Sequence, residues 1–247
     1  MTQYCPEELL ITTIAHMLKG VRHVAVGASS PIPGAAALLA SERARDKLRV
    51  SILGSETNNF FTDGSRELFD CAAQGRIDAF FLGGAQIDGS ANINLVGVNG
   101  YPKSKVRFPG SFGSAYLYLL IPRVILFTTS HTRRVLVPKV DFVSAAGVSS
   151  ANVYRPGGPY ALVTERCVFR FSQSRFRLSS VHPGHTLQEV RDNTGFEFDT
   201  PDNVAETPEP DTESLALIRG PVGAAISEVY PAFAKRILET PGNQVSG

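Results

Sequence analysis

The sequence has few cysteines, and those it has lie far apart. Cys5, Cys71 and Cys167 form neither a CxxC pair nor an even-numbered framework, which argues against structural zinc and for a reducing compartment. We therefore expect a cytoplasmic protein. The five histidines show no metal-ligand spacing beyond the pair His182 and His185, and one pair is too few for a metal site. We expect no bound metal.

An excess of charge of one sign and a long apolar run are also missing. The chain of 247 residues carries a net charge of +1, with both signs scattered, so it has no electrostatic footprint for nucleic acid or an anionic membrane. Its longest apolar run, Ala115 to Ile121, is far shorter than the roughly 20 residues of a membrane span. The first residues lack the basic and apolar regions of a secretory signal, so we expect no export by that route.

The common phosphate-binding motifs are absent as well. The loop Gly27–Gly34 lies between a predicted strand, His23–Val26, and a predicted helix from Ala35 to about Arg45. It spells neither GxGxxG nor GxxxxGK[ST], so a dinucleotide or P-loop site is poorly supported. The amino terminus of a helix still favours anions in general.

Strand and helix patterns alternate in the first part of the chain. Apolar strands that alternate with helices predict an α/β fold with an open, mainly parallel sheet covered by helices on both faces. The length and the 43% hydrophobic content suffice for one large domain or two small ones. The predicted elements of this part are a helix over Pro6–Gly20, strands over Leu48–Leu53 and Ile77–Leu82, and a helix that Ser65 caps and Gly75 ends.

The pattern changes in the carboxy-terminal half, after Ala151. Apolar and polar residues alternate from Tyr160 to Val181, which predicts two or three short strands in a small antiparallel ribbon. The other predictions are strands at Val124–Thr129 and Val140–Val143, a helix over Thr186–Asn193, a surface linker over 200–212, and a helical region over Ser214–Leu238 broken at Gly220-Pro221.

Two glycine loops flank buried elements between Phe80 and Ser114. Glycines beside polar residues let main-chain N–H groups approach a ligand, as in phosphate cradles and oxyanion holes. The alternative is that they only form tight turns, with Gln86 and Asp88 holding Gly89 in an Asx-type turn. Ligands of open α/β sheets bind beyond the carboxyl ends of the strands. We therefore expect Gly27–Gly34, Gly54–Asn59 and Gly83–Asp88 along one rim.

The two loops carry a family resemblance. The residues GGAQID at Gly83–Asp88, followed by Asn92-Ile93-Asn94, resemble the signature of the β subunits of class I coenzyme A transferases, glutaconate coenzyme A-transferase in particular. The residues KVRFPGSFG, which end at Gly113, resemble the glycine-rich oxyanion loop of that family. Further motifs follow in the expected order at Arg133-Arg134, at Lys139 to Val143 and at Asn193 to Phe196.

The resemblance implies a single β-subunit domain over residues 1–247, a homologous α subunit in an α2β2 assembly, and a coenzyme A thioester bound between the subunits. Coenzyme A would enter as part of the substrate, so no cofactor is expected, and neither nucleic acid nor a membrane is an expected partner. The implied coenzyme A or substrate contacts are Gly83, Gly84, Ala85, Gln86 and Asp88. The implied thioester-binding residues of the oxyanion loop are Gly110, Ser111, Phe112 and Gly113.

The family also implies a glutamate nucleophile at the end of the strand Leu48–Leu53. Leu53 stands at that position, and Glu56 follows three residues later. A slip of three residues, at roughly 3.3 Å each, moves a carboxylate out of attacking distance. Glu56 is therefore only a weak catalytic candidate.

A β subunit that keeps the thioester cradle and lacks the nucleophile resembles the steroid ring-cleaving hydrolases of actinobacteria. This resemblance implies hydrolytic opening of a cyclic β-keto coenzyme A thioester in cholesterol ring degradation, with the general base supplied by the partner subunit. Two alternatives stay open: a class I coenzyme A transferase that uses a glutamate, and a scaffold subunit without catalysis.

Several other residues have a plain interpretation beside a functional one. Lys103, Lys105 and Arg107 could neutralise coenzyme A phosphates or could simply be solvated. Ser111 has no evident His and Asp partners, so we expect no nucleophilic triad. Cys71 lies on an apolar helix face and is expected in the core.

Overall fold

The computed structural model describes residues 3–44 and 48–238. The chain divides into two compact units. The first consists of Met1–Leu68, Ile77–Ala79 and Pro208–Gly247, and the second of Phe69–Arg76 and Phe80–Thr207. The single-domain interpretation stays a prediction.

Helices and strands follow one another along the chain in the order of their numbers. The helices are α1 (Pro6–Met17), α2 (Pro31–Arg43), α3 (Gly64–Ala73), α4 (Ser114–Leu120), α5 (Leu187–Asn193), α6 (Thr212–Leu217), α7 (Gly223–Ser227) and α8 (Pro231–Leu238), with a π-helical turn at Ile218–Val222. The strands are β1 (His23–Val26), β2 (Arg49–Ile52), β3 (Ala79–Leu82), β4 (Gln86–Ile87), β5 (Ile93–Asn94), β6 (Gly97–Val98), β7 (Val106–Arg107), β8 (Arg123–Phe127), β9 (Pro159–Val163), β10 (Cys167–Ser172), β11 (Arg175–Val181) and β12 (Ala205–Glu206).

The first unit contains a parallel strand pair. Strands β1 and β2 pair in parallel, with Val26 opposite Ile52, and the side chains of β1 are buried throughout. The N–H of Leu53 extends this ladder by donating to the carbonyl oxygen of Val26 at 3.0 Å. Because the strands are parallel, the loops that follow them leave the same edge of the sheet.

Helix α1 is buried around most of its circumference. It begins at Pro6, where the missing N–H and the fixed φ of proline suit a first turn. The N–H of Cys5 donates to Glu8 Oε2 at 2.8 Å, and the same buried carboxylate pairs with Arg219 at 2.6 Å. The helix ends somewhat earlier than the predicted Gly20, whose φ of +79° follows a short turn.

Helix α2 starts at Pro31 and not at the predicted Ala35. The first turn accepts proline, so the predicted loop is shorter than its composition indicates. Gly34 lies inside the helix, and a Cβ there would come within 2.9 Å of Ile226 Cδ1, so a larger residue would require the Ile226 side chain to shift. The predicted end near Arg45 lies outside the described residues.

Helix α3 is capped differently from the prediction. Ser65 lies inside the helix and does not cap it. Instead, Glu67 Oε2 accepts hydrogen bonds from the N–H groups of Thr62 and Asp63 at 2.6 and 3.3 Å. A carboxylate in the first turn also interacts favourably with the helix dipole. Gly75, with φ of +66°, follows the helix as predicted.

The second unit is built on a mixed sheet. Strands β12, β11, β10, β9 and β8 are hydrogen-bonded in that order. The pairs β8–β9 and β11–β12 are parallel, and β9–β10 and β10–β11 are antiparallel. Phe169 and Phe176 are fully buried with their rings 5.9 Å apart, and Phe196 lies 5.3 Å from Phe176. Parallel pairs together with this ribbon confirm the predicted α/β class.

The predicted strand at Val140–Val143 is wrong, since these residues join no strand. The N–H of Val140 donates to Asp88 Oδ2 at 3.4 Å, and the N–H of Asp141 donates to Gln86 Oε1 at 3.0 Å. Side chains have therefore taken the main-chain donors that a ladder would use.

The chain beyond residue 200 is more ordered than a linker implies. The segment 200–212 contains β12, and Thr207 is buried with its N–H donating to the carbonyl of Val181 at 2.8 Å. The carboxy-terminal helices break at Gly220, whose φ of −113° and ψ of −109° are not helical, and Pro221 follows. This matches the predicted break. Within the described residues, no helix is long and apolar enough to span a membrane.

Candidate active site

The first glycine loop follows β3. A Cβ at Gly83 would lie 3.2 Å from the carbonyl oxygen of Phe127, and a Cβ at Gly84 would lie 2.8 Å from that of Gln86. Gly84 therefore needs glycine for close backbone approach, and Gly83 leaves little room for a side chain. The N–H of Ala85 donates to the carbonyl of Asn94 at 2.9 Å. This loop is held tightly to its own unit.

Gln86 is buried and uses its amide within the loop. Its Oε1 accepts from Asn94 Nδ2 at 2.8 Å and from the N–H of Asp141 at 3.0 Å. Its Nε2 donates to Asp141 Oδ2 at 3.4 Å. The amide fastens β4 to β5 and to the segment after Val140.

Asp88 is 4% exposed and acts in the same way. Its Oδ1 accepts from the N–H groups of Ser90 and Asn92, both at 3.1 Å, and its Oδ2 accepts from Asn92 Nδ2 at 3.1 Å. This is the Asx-type turn that the sequence left open as an alternative. Gln86 and Asp88 therefore position the loop, and their polar atoms are already engaged by the protein.

The second glycine loop, Gly110–Gly113, precedes α4. Gly110 has φ of +109° and donates its N–H to the carbonyl of Leu95 at 3.1 Å. Phe112 has a left-handed φ of +45° and is 78% exposed. The carbonyl of Ser111 accepts the N–H of Ser114 at 2.8 Å, so this oxygen belongs to the turn. A Cβ at Gly113 would overlap the ring of Phe69.

The structure brings the two glycine loops to one short segment. Asn94 contacts the first loop through Gln86, and Leu95, the next residue, accepts the N–H of Gly110 in the second loop. The two motifs are therefore neighbours in space and share one support. The glycines let the main chain of both loops pack closely. The side chains of Gln86 and Asp88 hold the first loop in place by hydrogen bonds.

An aromatic cluster borders the second loop. The rings of Phe112 and Tyr116 lie 5.4 and 5.9 Å from that of Phe69, and both are well exposed. Beside them Ser114 is 5% exposed, and its hydroxyl has no hydrogen-bond partner within the part of the chain that the structure describes. Phe69, Ser114 and Tyr116 were not predicted, because no local pattern ties a residue of α3 to a loop some forty positions away.

The loop after β2 carries the other predicted catalytic candidate. Leu53 is half-buried at the carboxyl end of the strand, and the side chain of Glu56 is exposed. The N–H of Glu56 donates to Glu228 Oε1. The hydroxyls of Ser55 and Thr57 donate to Glu228 Oε2 at 2.8 and 2.6 Å. The loop is thus arranged around a carboxylate from the carboxy-terminal region and not around its own glutamate.

Glu228 is an ordering group and a poor base. Hydrogen bonds from the Thr57 hydroxyl, the Glu56 N–H and the Ser55 hydroxyl lower the pKa of Glu228 to about 2. A general base works best when its pKa lies near the working pH. Sequence patterns do not reveal this contact, since a glutamate in a helical region is too common to stand out.

Two buried histidines, His131 and His182, belong to the core of the second unit. His131 Nδ1 lies 2.8 Å from Thr164 Oγ1, and Nε2 lies 3.0 Å from Thr194 Oγ1. Burial lowers the pKa of His131, and likewise that of His182, to about 4. Both are neutral at pH 7. In the described ranges, no group of three or more His, Cys, Asp or Glu side chains could hold a metal ion.

Two further motifs of the family resemblance meet at a cavity of about 380 Å³. Its lining includes Arg133 and Arg191 together with Thr194, Gly195 and Phe196. Arg133 Nε donates to the carbonyl of Asp192 at 2.7 Å, at the end of α5. This contact and the carbonyl of Leu136, which accepts the N–H of Gly195 at 2.7 Å, hold the two motifs together.

The fold and the paired glycine loops define the class of protein. An α/β chain that presents two adjoining backbone loops suits the binding of an acyl or phosphoryl group. Residues 8–193 match the model of the coenzyme A transferase family, and the chain belongs to this family.

Individual relatives fall into transferases and hydrolases. The B subunit of 3-oxoadipate CoA-transferase from Pseudomonas knackmussii is 33% identical over 59% of this chain, a match that spans 58% of that relative's length. The B subunit of glutaconate CoA-transferase from Acidaminococcus fermentans is 27% identical over 95% of this chain and 98% of its own length. The cholesterol ring-cleaving hydrolase IpdB subunit from Rhodococcus jostii is 32% identical over 62% of each chain. The resemblance to both kinds of subunit is confirmed.

Solved structures give the same fold. IpdAB of Rhodococcus jostii matches with a TM-score of 0.79 at 26% identity, covering 89% of this chain and 94% of that one. The decarboxylase AibA/AibB matches with a TM-score of 0.77 at 24% identity, covering 95% and 99%. The second likeness supports the fold alone.

Proposed function

We propose that this chain is the β subunit of a heteromeric hydrolase that opens the ring of a cyclic β-keto coenzyme A thioester derived from a steroid. The likeness to the cholesterol ring-cleaving hydrolase subunit and to IpdAB supports this assignment. Coenzyme A enters as part of the substrate, no further cofactor takes part, and the reaction takes place in the cytoplasm.

The end of β2 is the observation that carries the proposal. The family resemblance implies that a transferase has its glutamate at the position of Leu53, where this chain has leucine. Glu56 lies beyond Gly54 in a turn whose backbone is fixed by Glu228. Bringing the Glu56 carboxylate to the end of the strand would require breaking those hydrogen bonds. A covalent glutamyl thioester on this chain is therefore disfavoured.

The proposed chemistry needs oxyanion stabilisation and an activated water. Water adds to the ring ketone, the adjoining C–C bond breaks, and its electron pair moves into the thioester carbonyl to give an enolate that is then protonated. The products are a carboxylate and an open-chain thioester. Backbone N–H groups of Ser111, Phe112 and Gly113 are the proposed donors to the enolate oxygen, since the N–H of Gly110 already donates to the carbonyl of Leu95.

The proton acceptor for that water comes from a partner. Glu228 is held ionised by its donors, and the described histidines His131 and His182 are buried, so neither kind of group is suited to be the base. We propose a homologous α subunit, in an α2β2 assembly, that supplies a carboxylate. The likeness to IpdAB supports this part of the proposal.

A trapping experiment tests the proposal against the transferase alternative. The complex would be incubated with acyl-coenzyme A thioesters, treated with hydroxylamine, and digested for mass spectrometry, with Glu56→Gln as the matched control. We expect no hydroxamate on this chain. A hydroxamate at Glu56 that disappears in the control would overturn the proposal in favour of a class I coenzyme A transferase, which the identity to the two transferase subunits favours.

A further inference from the structure

Positive charge is concentrated in one stretch of this nearly neutral chain. Residues 89–140 contain seven lysine and arginine residues and neither aspartate nor glutamate, whereas the whole chain has a net charge of +1. The apparent scatter of charges along the sequence therefore hides a strongly basic segment. Such segregation creates a local field that attracts anions.

Three of these cations lie together on the hairpin formed by β6, β7 and their connection, residues 97–107, which we call the basic hairpin. Lys103, Lys105 and Arg107 are exposed, and they form no ion pair with any residue of the described ranges. Strand pairing places Gly97 opposite Arg107. A Cβ at Gly97 would lie 2.7 Å from the carbonyl of Val106, so the two strands approach closely.

The basic hairpin is anchored on one side and open on the other. The ring of Tyr101 stacks 4.5 Å from that of Phe142, and the Arg107 guanidinium lies 5.9 Å from the Tyr101 ring. Asp141 contacts the hairpin by accepting the N–H of Asn99 at 3.0 Å, so this carboxylate is engaged by backbone. Tyr101 is itself 56% exposed.

A buried polar atom also marks the connection of the hairpin. Ser104 lies between the two lysines, and its hydroxyl oxygen is shielded from solvent without a hydrogen-bond partner among the residues that the structure describes. This hydroxyl faces the opposite strand, since a Cβ at Gly97 would lie 2.8 Å from its oxygen. Ser104 therefore packs inside the hairpin, while the lysines on either side of it are exposed.

We propose that the basic hairpin binds the phosphate groups of coenzyme A through Lys103, Lys105 and Arg107. This rests on the proposed function, which supplies the thioester. The hairpin leads directly into the second glycine loop, and the N–H of Phe108 donates to the carbonyl of Val96 at 3.0 Å to keep the two in register. Lys105 and Gly110 are at most ~18 Å apart along an extended chain. The pantetheine arm, with its two amide-linked segments, separates the phosphates from the sulfur.

The proposal fixes the orientation of coenzyme A along this chain. The nucleotide end lies on the basic hairpin, and the thioester lies at Gly110–Gly113. Lysine and arginine both suit phosphate oxygens, and charge-assisted hydrogen bonds are stronger than neutral ones. The 3′-phosphate and the diphosphate of coenzyme A together offer several acceptors for the three cations.

Calorimetric titration of the αβ complex tests the assignment with three probes: coenzyme A, dephospho-coenzyme A, which lacks the 3′-phosphate, and pantetheine, which lacks all phosphates. The test variant is Lys103→Gln/Lys105→Gln/Arg107→Gln. The matched control, Arg66→Gln/Arg76→Gln/Arg177→Gln, removes the same charge from exposed positions elsewhere. We expect the test variant to lose about 10- to 100-fold in affinity for coenzyme A, less for dephospho-coenzyme A, and nothing for pantetheine.

The outcomes separate this inference from the proposed function. Unchanged coenzyme A affinity in the test variant, or an equal loss in the control, would overturn the hairpin assignment while the complex stayed a thioester enzyme. Absence of coenzyme A binding by the unmodified complex would overturn the proposed function itself. Raising the salt concentration should weaken binding to the unmodified complex more than to the test variant, because three charge contacts are then screened.

Discussion

The loop after β2 and the loop after β3 are organised by carboxylates that differ in origin and burial. In the loop after β3, Asp88 belongs to the loop motif itself and lies 4% exposed among its own donors. In the loop after β2, the carboxylate of the loop, Glu56, is exposed, and Glu228 from the distant carboxy-terminal region accepts the donors. One loop is therefore self-contained, and the other depends on a remote segment.

This difference distinguishes carboxylates that hold a loop in place from carboxylates that could take part in catalysis. Carboxylates whose oxygens already accept several hydrogen bonds are stabilised in the ionised form and are weak proton acceptors. Glu228 fits that description. The oxygens of Asp88 are used to hold its own loop, whereas the exposed Glu56 side chain lies beyond the strand end. The comparison predicts a graded series of effects when each loop is perturbed.

Asp88→Ala should give the largest loss of stability. The substitution leaves the part-buried N–H groups of Ser90 and Asn92 without their acceptor, and a donor left unpaired away from water costs about 1–3 kcal/mol. We expect a loss of roughly 2–4 kcal/mol in the free energy of unfolding, measured by urea denaturation. Asp63→Ala, which removes a surface ion pair with Arg66, is the control and should change it by less than about 1 kcal/mol. Equal losses of stability in Asp88→Ala and Asp63→Ala would contradict the role of Asp88 in holding its loop.

Gly113→Val should cost less stability but lower the hydrolase rate. The added side chain overlaps the Phe69 ring, and overpacking typically costs about 1–3 kcal/mol. We expect the complex to assemble and its hydrolase rate to fall, measured with a coenzyme A thioester substrate. Adding Phe69→Ala makes room and should restore part of the rate. Full activity in Gly113→Val with assembly intact would favour the scaffold alternative.

Glu228→Gln should act mainly through pH. Folding favours the ionised form, because the pKa of Glu228 is lowered to about 2 from the ordinary value of 4.5. Its contribution to stability is therefore present above about pH 4.5 and is lost as the pH falls through about 2. Thermal unfolding between pH 5 and pH 2 should show a shallower decline of Tm in the variant. The same decline of Tm with falling pH in both proteins would argue against the role of the Glu228 carboxylate in ordering the loop.

Glu56→Gln should have the smallest effect. Its side chain is exposed, and the contact that orders the loop uses the backbone N–H, which the substitution keeps. We expect the rate of ring opening to stay within about twofold of the unmodified complex. A loss of activity as severe as removing a covalent nucleophile would show that the loop rearranges and that Glu56 takes part directly.

The sequence predicts local elements better than it predicts the contacts that complete them. Strand β1 and the start of α5, whose N-cap is Thr186, agree with prediction, because apolar runs and a capping box are local signals. The apolar run at Val140–Val143 was misleading, because its main-chain donors are used by side chains some fifty residues away. Periodicity contains no information on such partners.

In the candidate site, too, the local features could be predicted from the sequence and the long-range contacts could not. The glycine loops follow from sequence, because glycine is required wherever backbone atoms approach closely, as at Gly84. The roles of Gln86 and Asp88 follow only from the structure, since a polar residue in a glycine loop suits a ligand contact and an internal turn equally well. Glu228 escaped prediction altogether, because the loop that it orders lies more than 170 residues earlier in the chain.

The contact of Glu228 with the loop after β2 links that loop to the carboxy-terminal helices. The match to the family model ends at residue 193, so Glu228, which orders the loop after β2, lies beyond the residues that the model covers. Two subunits could share every aligned motif and still differ in the loop where the transferase nucleophile would stand. A change of chemistry between relatives can therefore originate in the carboxy-terminal helices, in residues that a comparison of motifs never inspects.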